Sequence, residues 1–459
     1  MKVTHRAIPA ALALGTLLVA ALPAQAAHQP AHRHDVTAPR PRTPRSQSAH
    51  SYQRPPAGFT PVFTENISRH GSRAASDSED GDLILALWDK AEAAGQLTRR
   101  GKEFGPKVRA LQAAMAKVGY GNLSGRGEQE MRDTAARTQR RLPSLFARIA
   151  ADGEKIDVVS SGQGRAIDSA NAYAGELAAT DPALKPLIGA TRTDKDLLYF
   201  HKAAGGAAYR DYIDHDQRLA ATLKSITDQP RTAEAARSVL RRLFQDTFVD
   251  GHSTADQVAA AQAVHNLYAI APAMSEESPD GKDWGMQRYI SRSDAAWFGY
   301  LSDAEDFYEK GPGFADSDIT YKMAGVLLDD FFRQVEAKRA GTSTLGAELR
   351  FSHAEEIIPL AALMGLPGST QPVTEQQPYT YATNPWRGSS VSPLGANIQW
   401  DVFRKGDRCW CGCSTTRRRP RSRRAACPLP RAASSTTWTH WRGASAAPDQ
   451  RRYDPASWS

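Results

Sequence analysis

A strand-like run that ends in a cluster of charge does most to limit what this chain can fold into. Residues 59–68, Phe-Thr-Pro-Val-Phe-Thr-Glu-Asn-Ile-Ser, alternate apolar with small or polar side chains and lead directly into Arg69-His70-Gly71-Ser72-Arg73. Alternation of period two is the pattern of a β-strand. The cluster therefore sits where a strand ends and the next element begins, which in an open α/β sheet is where ligands bind. A neutral imidazole is a good nucleophile toward phosphorus, and guanidinium forks match phosphate oxygens. Two cations crowding His70 favour its neutral form. The stretch reads as an anion-handling catalytic site.

Two later stretches repeat the arrangement. Residues 155–161 form a short strand pattern, followed by Gly162-Gln163-Gly164-Arg165 and a helical pattern over 166–178. No Lys-Ser/Thr pair follows the glycines, so this is not a nucleotide P-loop. The weight falls on Arg165, at a second strand-to-helix turn, where neighbouring strand ends of one sheet would bring it beside Arg69 and Arg73. Residues 344–352 are a third strand pattern, leading into His353-Ala354-Glu355-Glu356. Taken alone, His353 reads equally well as a helix cap and Glu355 as a first-turn acid that favours the helix N-terminus. Beside the first two motifs, the pair reads as a second site histidine with an adjacent acid.

The intervening sequence is mostly helical in pattern: 81–96, 102–118, 124–149 with a break near Pro143, and 317–339. Residues 180–315 carry few strand signals and read as an α-helical insertion or cap. Lys202, Arg210, Arg288 and Arg292 within it are candidates to meet a polyanion, but they read more simply as solvated charges. The formal net charge of +8 does not describe this body. Residues 59–407 hold 40 basic and 47 acidic side chains, a net of −7, so the basicity lies in the two ends. Nothing in the body calls for a nucleic-acid partner.

At the start, Lys2, His5 and Arg6 precede an apolar run over 7–22 and then Pro23-Ala24-Gln25-Ala26. This is the layout of a secretory signal cut after about Ala26. The run is too short for a comfortable membrane span, so no stable membrane anchor is expected. Residues 27–58 are rich in Pro, Arg, His, Ser and Gln and read as a disordered leader. Their histidines lack the spacing of a metal site.

Arg-His-Gly-Ser-Arg at 69–73, Ser-Ser-Gly-Gln-Gly-Arg-Ala-Ile-Asp-Ser-Ala at 160–170 and His-Ala-Glu at 353–355 together resemble the histidine phosphatase superfamily. The narrower likeness is to its histidine acid phosphatase branch and the multiple inositol polyphosphate phosphatases within it, where His-Ala-Glu stands in place of the commoner His-Asp. The resemblance covers about 59–408. It implies a phosphoglycerate-mutase-like α/β sheet core, 59–180 and 316–408, flanked by helices, with an inserted helical cap over 181–315. It further implies that His70 is the nucleophile, forming a phosphohistidine, and that Arg69, Arg73, Arg165 and His353 hold the phosphoryl oxygens. Glu355 would be the proton donor, so activity should be best at acidic pH. No metal or cofactor is called for. The substrate would be an inositol polyphosphate such as phytate, and the protein a secreted monomer. The competing readings are a broad-specificity acid phosphatase on the same fold and an inactive secreted phosphate-binding protein. A phosphoglycerate-mutase-like transferase shares Arg-His-Gly but fits the export signal and His-Ala-Glu poorly.

After Arg408 the composition breaks. All four cysteines and four of the nine tryptophans lie beyond it, with no lysine and no glutamate. Cys409, Cys411 and Cys413 lack the paired spacing of a structural zinc site. Read from the third base of each codon, Cys-Trp requires Leu and Trp-Cys requires Val, and the pairs through Pro420 permit a run like the family's C-terminal strand. The expectation is a shifted reading frame near the codons for Asp407 to Cys409, with 409–459 a disordered tail and the last strand of the sheet lost. Sequencing of the gene should reveal an insertion or deletion at those codons; an uninterrupted frame matching this tail in close relatives would refute it.

Overall fold

The computed structural model describes residues 55–281 and 283–415. The signal segment 1–26, most of the leader and residues 416–459 lie outside the described residues. Through the rest runs one mixed six-stranded sheet in the order β3-β2-β4-β1-β5-β6. Its strands are β1 (Thr60–Arg69), β2 (Lys155–Ser160), β3 (Arg192–Thr193), β4 (Leu345–Ser352), β5 (Asn397–Lys405) and β6 (Arg408–Thr415). β1, β2, β3 and β4 are parallel, whereas β5 and β6 pair antiparallel. β4 enters late in the chain yet lies between β1 and β2, with Arg69 opposite Ser352 and Ser160 opposite Phe351. The three strand ends picked out in the sequence are therefore neighbours on one edge of the sheet.

Five helices lead from β1 into the first half of the domain: α1 (Glu79–Ala93), α2 (Arg99–Val118), α3 (Gly125–Arg141), α4 (Pro143–Asp152) and α5 (Gly164–Thr180). Pro143 opens α4, where its missing N–H costs nothing, and this accounts for the break between α3 and α4. One face of the sheet is covered by α3, α4 and α5, whose Leu145, Ile149, Tyr173 and Leu177 pack on Ile156, Val158, Leu349 and Phe351. The helices Gly325–Ala340 and Ala354–Leu363 cover the other, packing Leu327, Phe331, Ile357 and Ile358 on Phe63, Ile67 and Trp400. A separate apolar cluster joins Ile84, Trp88, Phe104 and Leu111 of α1 and α2 to Leu240, Val264, Leu267 and Phe298. The helical cap expected over 181–315 thus shares its core with two helices that precede β2. Among the described residues no helix is long and apolar enough to cross a membrane.

Two expectations are corrected. The helix read as 317–339 begins only at Gly325, because the chain before it closes into tight turns, Tyr321 N–H bonding Asp318 O at 3.0 Å. The last strand is present: Arg408–Thr415, expected to be lost into a disordered tail, forms β6 and pairs with β5 from Ile398 to Lys405. Gly406, at φ +55°, lets the chain reverse in two residues between Lys405 and Arg408. The short side chains then alternate as an edge strand needs, with Cys411 buried and Trp410 edge-on to Phe403 at 5.3 Å. Backbone pairing asks little of side-chain identity, so an atypical composition suffices here.

One face of the sheet also buries charge. Arg350 on β4 is fully buried and pairs with Glu65 of β1 at 2.9 Å, Asp330 at 2.5 Å and Glu348 at 3.1 Å. Burial, opposed by Arg350, pushes Glu65 well above the usual carboxylate range and Glu348 up to about 7. Removing the central cation leaves buried Glu65 without its partner and the other two acids only with Arg333 and Arg192 at the cluster's margin. Arg350→Met should lower stability by about 3–5 kcal/mol, read as a fall in the urea midpoint of the purified chain.

Candidate active site

The nucleophile candidate is clamped by its backbone. His70 N–H donates to Ser352 O at the end of β4 at 2.8 Å, and Gly395 N–H, from the loop entering β5, donates to His70 O at 3.0 Å. On the ring, Nδ1 lies 2.9 Å from Gly71 O. A carbonyl only accepts, so this contact places the ring proton on Nδ1 and leaves the Nε2 lone pair for chemistry. Gly71 has to be glycine: a Cβ there would fall 2.4 Å from Gly127 O in α3, a backbone atom that cannot yield. Gly71 N–H donates to Ser169 Oγ at 3.1 Å, and that hydroxyl donates to Arg165 O at 2.7 Å. The His70 loop is thereby tied to the α5 turn. Buried Glu130 secures its other side, accepting from Ser72 N–H at 2.9 Å and Ser72 Oγ at 3.0 Å.

Around this histidine stand three guanidiniums with no acid of their own. Among the described residues Arg69, Arg73 and Arg165 form no ion pair, and the Nε of each is buried without a hydrogen-bond partner. Arg69 and Arg73 are held in place by carbonyls, donating to Ser392 O and Ala74 O respectively. Burial, then the neighbouring Arg165 and Arg69, brings Arg73 down to about 10. Burial, then Arg69, His353, Arg73 and Arg165, holds His70 well below its ordinary range and hence neutral. Like charges gathered this closely repel, and an anion seated among them would relieve the repulsion.

His353 is the N-cap of the helix Ala354–Leu363 and meets His70 edge-on, ring centres 5.3 Å apart. Its Nε2 is 2.8 Å from Ser161 Oγ, while Nδ1 is buried and unpartnered. Burial, then Arg165, depresses its pKa to about 3, so it too is neutral. Glu355 lies in the first helical turn with its side chain 35 % exposed. Burial alone would raise its pKa, but Lys310, His201 and His353 outweigh that and hold it below the usual carboxylate range. Glu356 turns inward instead, bonding His201 Nδ1 at 2.7 Å and accepting from Ser352 Oγ at 2.8 Å and His353 N–H at 3.3 Å.

All six residues singled out from the sequence, Arg69, His70, Arg73, Arg165, His353 and Glu355, thus gather at the carboxyl ends of β1, β2 and β4. Of the cap cations, Arg210 donates to His201 O and Ala203 O, bracing the loop that carries His201, and Lys202, Arg288 and Arg292 are exposed. Sequence reasoning missed Glu356, Glu130, Ser161, His201 and Lys310. Only Glu356 carried a local signal, an acid three residues after a helix cap. Among the described residues no cluster of three His, Cys, Asp or Glu is placed to hold a metal.

A neutral histidine amid guanidiniums that form no ion pair among the described residues, with a carboxyl group beside it, at the carboxyl ends of the sheet's parallel strands defines an enzyme that handles phosphoryl groups. The chain belongs to the histidine phosphatase superfamily (branch 2), whose family model matches residues 63–421. It is 23% identical over 361 residues to the chicken (Gallus gallus) multiple inositol polyphosphate phosphatase 1, covering 76% of this chain and 73% of that one. It is also similar to crystal structures of the Bifidobacterium longum multiple inositol polyphosphate phosphatase. The complex with phosphate has a TM-score of 0.76 and the complex with inositol hexasulfate 0.75, each at 29% identity, covering 83% of this chain and 91% of that one. For phosphomonoester hydrolysis, Arg165→Ala should lower kcat by about 10²–10³-fold, the usual loss when one charge-stabilising donor is removed, as read by phosphate release.

Proposed function

We propose that the chain is an exported phosphomonoesterase that removes phosphate from inositol polyphosphates such as phytate through a phosphohistidine at His70. The observation that carries this reading is the trio Arg69, Arg73 and Arg165, cations that form no ion pair among the described residues, around a histidine held neutral. The substrate class is supported by the Bifidobacterium longum enzyme, whose complexes hold phosphate and a six-fold sulfated inositol.

In the first step His70 Nε2 attacks phosphorus. The N–P bond forms as the ester P–O bond breaks, and the charge on the equatorial oxygens is met by the three arginines. His353 adds a neutral donor at Nδ1 when the Ser161 hydroxyl donates to its Nε2. That orientation agrees with Gln163 N–H donating to the same Ser161 oxygen at 3.4 Å. Glu355 gives its proton to the departing alkoxide. In the second step water attacks phosphorus, the N–P bond breaks, and the Glu355 carboxylate takes the proton from water. The steps call on no metal, and full activity in EDTA is expected.

The two protonation states set the pH dependence. His70, held well below its ordinary pKa, stays neutral into the acidic range. Glu355 acts in its protonated form and is held low, so the competent fraction falls as pH rises. Purified protein should release phosphate from phytate fastest at acidic pH and lose this activity with His70→Ala. Retained activity in that variant would end the reading, and a flat profile up to pH 8 would remove Glu355 as the acid. Relative rates on phytate and a simple monoester separate an inositol polyphosphatase from a broad acid phosphatase. Export, a monomeric state and the frameshifted origin of the tail belong to the same proposal.

A further inference from the structure

The cap sends one cation to the acid of the site. Lys310 caps the C-terminus of the helix Arg292–Glu309, where a positive charge complements the helix dipole. The turn after it is rigid. A Cβ on Gly311 would lie 2.8 Å from Phe307 O, Gly313 sits at φ +58°, and Thr320 Oγ1 donates to Gly311 O at 2.8 Å. The Lys310 side chain is only 16 % exposed, with Nζ 2.7 Å from Asp306 Oδ1 and 3.8 Å from Glu355 Oε1. The second distance is an ion pair but too long for a hydrogen bond, so Lys310 is anchored on Asp306 and held loosely by Glu355.

Many charges face Glu355. Its own helix offers His353 and Glu356; the loop after β3 offers Tyr199 and His201; the strand end, the loop after it and the α5 turn offer Arg69, Arg73 and Arg165. From the cap come Lys310, Asp306, Glu309 and Tyr209. The arginines are committed to the transferring phosphoryl group, and Glu356 already occupies His201. Lys310 is the cation that a second phosphate could claim, because its contact with Glu355 is long and an ammonium on a four-carbon stem can turn from one oxygen to another while Asp306 keeps hold of it.

We infer that Lys310 is a substrate-sensing partner of Glu355: it pairs with that carboxylate in the empty site and turns to a second phosphate of a polyphosphorylated substrate, freeing Glu355 to carry the proton it donates. A monophosphate offers Lys310 no second phosphate and leaves the pair intact. Selectivity for polyphosphates then arises at the acid as well as in binding. The inference rests on the phosphomonoesterase reading above, with His70 and Glu355 in their proposed roles.

The test compares pH profiles of the whole chain and its Lys310→Met variant on inositol hexakisphosphate and inositol monophosphate. In the unaltered protein the alkaline limb of kcat should lie about one pH unit or more higher on the hexakisphosphate, the scale of one half-buried ion pair. In Lys310→Met the monophosphate limb should rise to meet it, and the ratio of kcat/KM between the two substrates should fall about tenfold or more, the worth of one charged contact. Lys310→Arg keeps the charge and should keep the gap. The inference is overturned if the limbs coincide in the unaltered protein, or if the gap survives in Lys310→Met, which would trace it to the substrate's own charge. It is also overturned if Lys310→Arg closes the gap while melting like the unaltered chain. An unaltered protein inactive on both substrates would instead overturn the phosphomonoesterase reading itself.

Discussion

The buried guanidinium of Arg350 is the interaction on which the rest depends. It draws Glu65 of β1, Glu348 of β4 and Asp330 of an overlying helix into one cluster under the sheet. Arg350 N–H also donates to Asn66 Oδ1 at 2.9 Å. A one-residue slip of β1 against β4 would turn Glu65 to the opposite face, away from its cation, so the register is held by electrostatics as well as by apolar alternation. That register sets Arg69 opposite Ser352, and through it His70 beside His353.

The site inverts the logic of that cluster. Below the sheet Arg350 gathers three acids; above its edge three cations form no ion pair among the described residues. The first arrangement is complete without a ligand, whereas the second leaves positive charge that an anion from solution would complete. Rigidity makes the difference useful. Gly71 against Gly127, Ser72 on Glu130 and Ser169 under Gly71 fix the His70 loop, so the arginines do not relax apart to relieve their repulsion. The acid is supplied separately, from a helix that begins at β4, and its counter-cation comes from the cap. Two layers of the fold thus meet at one carboxyl group.

The end of the chain shows how far composition can mislead. Cysteine, tryptophan and arginine after residue 408 look foreign to the body, and a lost strand followed naturally from that. Strand formation needs an open edge, a tight turn and side chains that fit alternately. Gly406 and the exposed flank of β5 provide the first two, and Cys411 and Trp410 fit well enough for the third. Composition alone does not decide what a waiting sheet edge will accept.

What the sequence by itself determined was local. Period-two runs marked β1, β2 and β4, and the residues that end them, Arg69, His70, Arg73, Arg165, His353 and Glu355, were legible because each sits in a short motif whose chemistry shows on its own. Tertiary structure decided what those motifs meet. Glu130 lies 58 residues from Ser72, Ser161 lies 192 from His353, and Lys310 reaches Glu355 from a different layer of the fold. No periodicity records such pairings. They arise because β4 inserts between β1 and β2 and a cap folds over the sheet edge, and side chains distant in sequence become neighbours only after the backbone has paid that entropy.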